Sequence, residues 1–332
     1  MTDYIDLHCV TVLTLLDDER AGRPSSILEN EHHIDERKLK EGGALVQTFA
    51  LFTDQKKGPV PEKEALELYD RYVRMLEESP VLAPAYTLAD IVKNKEAGKI
   101  SALLSLEEGG VVFDDLAMLR NWYRLGVRMI ALTWNYPNAI AHPNLSMAAF
   151  SNSHIPDPLQ RVDHEHGLSE FGREYVREMN RLGMIVDVSH ASDKTFWDVA
   201  ELVPGPFISS HSNARAVCNV ARNLDDDMIA ELARHGGVMG LNFCADFLND
   251  EGKNETRLKD IVAHIDHIKK VGGVDVIALG SDFDGIDSNL EIKDASGMQQ
   301  LADALRQHHY TEDEIDRIFH KNALRVFAQV LK

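Results

Sequence analysis

Cysteine is scarce in this chain: Cys9, Cys218 and Cys244 stand far apart, and no CxxC pair occurs. That excludes a disulfide framework and a thiolate zinc cluster. Positive charge is also short. There are 35 Lys and Arg against 54 Asp and Glu, a formal net charge of -19. Nucleic acids and anionic membranes select clustered basic side chains, so neither is an expected partner. No apolar run approaches the ~20 residues of a membrane span. The opening MTDYIDLHCV has no basic stretch followed by an apolar one, so the expected location is the cytoplasm. Glycine is missing where a doubly wound sheet would place a phosphate loop: after the first apolar segment the chain reads CVTVLTLL.

What the 332 residues do contain is a repeated alternation. Short apolar segments cover 4–10, 44–51, 101–107, 128–134, 184–190, 206–211, 237–243 and 275–282, most of them followed by an amphipathic stretch. Near-continuous apolar segments suit strands buried on both faces, as in parallel sheets. Ser169 and Gly183 bracket one helical stretch as N-cap and terminator. Thr311 and Glu314 have capping-box spacing at the start of a final helix. The pattern predicts an α/β fold, a single (β/α)8 TIM-type barrel spanning 1–332 as one domain. The irregular stretch at roughly 135–168, rich in Asn, Pro and His, follows the fourth segment and is a candidate lid.

Barrel enzymes build their sites at the C-terminal ends of the strands. His8, His190, His211, Asp282 and the pair Glu107–Glu108 all fall there. Imidazole and carboxylate groups converging from several strand ends describe a divalent-metal hydrolase site. Two histidines at equivalent strand ends weigh against a pair of ordinary core histidines. Strand alternation does not choose between Glu107 and Glu108, because the chain turns there. Asp282 is placed both to bind metal and to exchange a proton with water. Arg222 has two readings from the residues alone. Its fork suits a carboxylate, and Asp225, Asp226 and Asp227 nearby would suit an ion pair.

The segments IDLHC, ALLSLEEGG, GVRMIALTWN, MIVDVSHASDKTFWDV, PFISSHSNARAVCNVARNL, IALGSDFDG and KNALRVF run in one order across nearly the whole chain. In that order the sequence resembles the membrane (renal) dipeptidase family of zinc peptidases, especially its soluble bacterial members. The resemblance implies a barrel with two zinc ions and hydrolysis of dipeptides, with a D-residue accepted at the C-terminal position. It implies one zinc on His190 and His211, a bridging carboxylate at Glu107, and a second zinc on His8 and Asp282. It assigns Arg222 to the dipeptide carboxylate, and it makes a homodimer an expected assembly.

Two positions depart from the family pattern. His8-Cys9-Val10 stands where a His-x-Asp motif is usual, so the His8/Asp282 zinc is expected to be weak or absent. Trp134 stands where many relatives have His near the scissile carbonyl, and it lines the substrate site without a titratable group. A lid histidine, His142 or His154, is then a candidate to stabilise the intermediate. Two alternatives stay open at this point. One is an amidohydrolase acting on an N-acyl amino acid or a lactam. The other is a metal-impaired ligand-binding pseudoenzyme, which Val10 favours.

Overall fold

The computed structural model describes residues 1–55, 61–145 and 161–332. Among them, parallel strands β1 (Tyr4–Asp6), β2 (Ala44–Phe52), β3 (Ile100–Glu107), β4 (Val127–Ala131), β5 (Ile185–Asp187), β6 (Ile208–Ser209), β7 (Val238–Leu241) and β8 (Ile277–Leu279) pair in sequence order. β1 pairs with β8 and β2 with β3, which closes the ring into the expected (β/α)8 barrel. A short strand, Leu82–Pro84, adds to β3 outside that ring. The candidate lid is only partly described, since 146–160, and with it His154, lies outside the described residues.

Six of the eight strands are shorter than the apolar segments that predict them; β2 and β3 each run one residue beyond theirs. The 184–190 segment pairs only over Ile185–Asp187, because the Asp187 carboxylate then takes over the ladder's role. Its Oδ1 accepts the main-chain N–H of Ser189 (3.0 Å) and of Ser210 (2.9 Å). Asp6 does the same at the end of β1, accepting from Ser281 N at 2.8 Å. A carboxylate bonded in this way bends the chain off the ladder and turns the next residues over the barrel mouth.

Leu103, Met129, Ile185, Ile208, Val238 and Ala278 form an apolar layer with Ala323, Val326 and Phe327 of the last helix. Leu103 shares its strand face with Glu107, so this layer lies inside the barrel and the helix closes the end opposite the site. Gly240 and Gly280 are needed higher up. A Cβ at either position would lie 2.0 or 1.9 Å from the Ser210 carbonyl oxygen. The outer helices follow their caps. Ser169 Oγ accepts from Gly172 N at 2.8 Å, and the helix Glu170–Leu182 ends at Gly183 with φ 79°. Tyr175, Val176 and Met179 form its buried face. The Thr311/Glu314 capping box is present, and the helix it starts runs on through a π-turn at Arg317–Lys321 to Val330.

Candidate metal centre

Only Glu107 is the last residue of its strand. His8, His190, His211 and Asp282 sit two or three residues beyond theirs, on the turns released by Asp6 and Asp187. The five side chains meet in one buried cluster. His8 Nε2 is 3.1 Å from Glu107 Oε2 and 3.7 Å from Asp282 Oδ1, and its ring stacks on His211 at 3.7 Å between centroids. His190 Nε2 is 3.1 Å from Glu107 Oε1 and 3.1 Å from His211 Nε2. The donor atoms form two overlapping groups, His8/His211/Asp282 and Glu107/His190/His211, each within 4.8 Å.

The surrounding hydrogen bonds fix which nitrogens face inward. Ser210 Oγ must donate to the Asp187 carboxylate, so it accepts from His211 Nδ1 at 2.7 Å. His190 Nδ1 donates to Asn135 Oδ1 at 3.1 Å. Both Nε2 atoms therefore carry lone pairs, and these face each other and Glu107 Oε1. Such an arrangement is repulsive unless a cation shares it. Outer-sphere partners on Nδ1 with Nε2 left free are how protein imidazoles present themselves to metals. The residues fit a divalent ion at His190, His211 and Glu107.

For His190 and His211 the electrostatics among the protein groups point the same way. Burial pushes His190 down to about 4, with Arg222 adding to the shift, and burial holds His211 well below its usual range. Both are neutral, as ligands must be. Burial alone would lower His8, but Glu107 and Asp282 outweigh it and raise it to about 9. Burial would raise Glu107, yet His8 and His190 hold it well below the carboxylate range. Asp282 is pushed up to about 6, by burial first; His8 opposes the rise and Glu107 adds to it. Asn242 Nδ2 donates to Asp282 Oδ2 at 3.0 Å.

Glu107 and Glu108 diverge. Glu108 has φ 118° and turns outward from the cluster. It accepts from Gly110 N at 2.6 Å, from Asn138 Nδ2 at 2.5 Å and from Trp134 N at 3.0 Å. It shapes the turn that presents Trp134, and burial lifts it to about 7.

Asp282 and Asp284 both have positive φ, 62° and 66°, in a turn that L-residues rarely adopt. A clasp from the β1 loop holds it. Asp284 accepts from Thr11 Oγ1 (2.6 Å) and from His33 N (2.7 Å), and its own N–H donates to His33 Nδ1 (2.9 Å).

A cavity of about 700 Å³ opens over the cluster, lined among others by Val10, Phe52, Trp134, Glu107, His190 and Asp282. Val10 contributes an apolar wall and no ligand. Cys9 faces the hydrophobic core, where Thr11 Oγ1 lies 3.4 Å from its sulfur. The Trp134 ring stands edge-on to Phe52 at 4.8 Å. His142 does not line the cavity; it stacks on His166 at 5.0 Å, so the structure withdraws it as a catalytic candidate.

Arg222 is 2% exposed. Its Nη1 donates to Ser212 Oγ at 2.6 Å, while Nε and Nη2 are buried without a partner. The acidic residues near it in sequence are engaged elsewhere. Asp225 caps the helix Asp226–Arg234, and Asp226 pairs with His267 at 2.6 Å. The ion-pair reading of Arg222 therefore fails. Sequence reasoning missed Asp6, Asp187, Asn135 and Ser210. A carboxylate within an apolar strand, as in IVDV or YIDL, was the available signal, since burying one unpaired is costly.

Comparisons with known proteins bear on the family and the fold. The pattern of the membrane dipeptidase family (peptidase family M19) matches residues 1–332. A protein of Klebsiella pneumoniae encoded in the pqqA 5' region is 36% identical over 245 residues, 73% of this chain and 86% of that protein. An uncharacterized dipeptidase of Schizosaccharomyces pombe is 33% identical over 311 residues, 90% of this chain and 72% of that one. Among solved structures, a metallopeptidase of Rhodobacter sphaeroides bound to a phosphinate mimic of the dipeptide L-Ala-D-Ala superposes with a TM-score of 0.88. It is 26% identical, with 99% of each chain covered. With the barrel, the buried His/Glu/Asp cluster and these matches together, the chain belongs to the membrane dipeptidase family and is a metallo-dipeptidase.

Proposed function

We propose that this chain is a zinc-dependent dipeptidase that hydrolyses dipeptides, including those with a D-residue at the C-terminal position. Arg222 carries the reading. A buried guanidinium with two unsatisfied N–H donors is costly, and a planar carboxylate satisfies both. Ser212 moors it one residue from His211, so the carboxylate of a bound dipeptide would lie beside the cluster.

Zinc, when bound, would supply a Lewis acid and lower the pKa of water. Glu107, His190 and His211 would hold one ion, and His8 and Asp282 a second, weaker one that shares Glu107. Asp282 would accept the proton of the attacking water and return it to the leaving amine. Trp134 and Phe52 would pack on the substrate and exclude solvent. Asp246 and Asp287 on the cavity lining favour a substrate with a free amino group over an N-acylated one.

A panel of L,L- and L,D-dipeptides and their N-acetyl forms, assayed with added zinc while zinc per chain is counted, tests this reading. Hydrolysis confined to the free dipeptides is expected, with uneven resistance of the ions to mild chelation. Turnover of N-acetyl substrates alone would assign the amidohydrolase function. Ligand binding with no turnover at full zinc occupancy would assign the pseudoenzyme.

A further inference from the structure

Outside the catalytic cluster, two imidazoles and a carboxylate converge at the base of the 135–168 segment. The donor atoms of His142, Asp163 and His166 lie within 4.8 Å of one another. We infer that these three side chains form a separate site for a divalent transition ion of the zinc, nickel or copper type, which joins the two arms of the segment.

The donor set is two imidazoles and one carboxylate, which suits borderline first-row ions and not calcium or magnesium. The arms are already held in register. His142 O accepts from Ser192 N at 2.8 Å and from Thr195 Oγ1 at 3.0 Å. His166 O accepts from Ser192 Oγ at 2.6 Å, and Asn144 Oδ1 accepts from Asp163 N at 2.9 Å. Both histidines thus hang from the N-cap of one helix, Asp193–Leu202. Their rings lie nearly parallel, 27° apart. Asp163 Oδ1 is spent on the N–H groups of Glu165 and His166, which fixes the carboxylate in place; Oδ2 faces His166 Nδ1 at 3.0 Å. Little ordering cost remains for an arriving ion. His164 takes no part, turning instead to Asp193 at 3.8 Å. His166 is 59% exposed, so water completes the coordination and the ion exchanges freely with solvent.

The test is the zinc bound per chain at equilibrium, with the full chain dialysed against a fixed concentration of free zinc. Wild type is expected to hold one zinc more per chain than His142→Ala or His166→Ala, at unchanged circular dichroism. Equal zinc content in wild type and variants overturns the site, as does a deficit in only one variant. The inference is independent of the catalytic reading, because neither substitution touches Glu107, His190 or His211.

Discussion

Arg222 gives the sharpest residue-level expectation. Arg222→Ala should reduce kcat/KM for dipeptides by roughly 30-fold to several-thousand-fold, the ~2–5 kcal/mol of a charged hydrogen-bonded pair lost from a desolvated site. Arg222→Lys should recover only part of this, since an ammonium lacks the fork. Dipeptide amides should be nearly indifferent to both changes, and equal losses for acid and amide would make Arg222 a structural residue. Val10→Asp is the complementary change. Val10 is the N-cap of the helix Thr11–Arg20 and makes no side-chain cap, so a carboxylate there has two uses. It can complete the His8/Asp282 group or accept from the helix N-terminus. Zinc affinity of the weaker site should rise if the first use prevails. Helix stability alone, by about 1 kcal/mol, should rise if the second does. Competition against a chromogenic chelator, alongside thermal melts, separates the two. At this scale the convergence of His8, Glu107, His190, His211 and Asp282 was legible from residue type and position. The choice between Glu107 and Glu108 was not, because it is set by a positive φ at 108 that no local pattern announces. The pairing of Arg222 was equally hidden, since Asp225 and Asp226 take caps and partners visible only in space.

Among the elements, the eight apolar segments located every barrel strand and overran six of them, all but β2 and β3. The overrun has a cause: turns that carry Asp6 and Asp187 are as buried as strands, so hydrophobicity does not mark where pairing stops. The helix Glu36–Gly42 passed unnoticed although Asp35 caps it and Gly43 ends it at φ 83°. The strand Leu82–Pro84 offered only three residues and a proline. The helix Leu258–Gly272 carries a further expectation. His264 within it is buried; its Nδ1 accepts from Ala214 N at 3.0 Å, and its Nε2 donates to Leu248 O at 3.1 Å. Burial pushes it down to about 4 from an ordinary 6.5. Below 6.5 the unfolded chain binds a proton that the folded imidazole refuses. Stability from this group is therefore full above 6.5 and lost as pH falls toward 4, at up to about 1.4 kcal/mol per pH unit. Glutamine can accept and donate at the same places without titrating. His264→Gln should flatten the decline of stability between pH 6.5 and 4, measured by urea melts at stepped pH. An unchanged slope would show that other groups govern it.

For the molecule as a whole, fold class was readable because alternation and the missing glycine loop both point to a barrel. Neither observation carries information on closure, which depends on pairing between segments far apart. Metal should matter at this scale too. An ion that binds only the folded chain adds about 4 kcal/mol at a thousandfold excess over its dissociation constant. Zinc-loaded protein should accordingly melt several degrees above protein dialysed against a chelator, and coincident melts would mean the cluster holds no ion in solution. The clasp between Asp284, Thr11 and His33 has a kinetic consequence. β1 and β8 share a single in-strand pairing, Asp6 with Leu279, so their seam is completed past the strand ends. Asp282 N reaches His8 O, Val10 N reaches Phe283 O, and Thr11 meets Asp284 across 273 residues of chain. Contacts so remote in sequence carry the largest loop-closure penalty and form late. The groups that zip this seam are the neighbours of His8 and Asp282, so the barrel cannot finish folding without aiming them. During refolding from denaturant, enzymatic turnover should return with the slowest phase of tertiary structure, well after helix content has recovered.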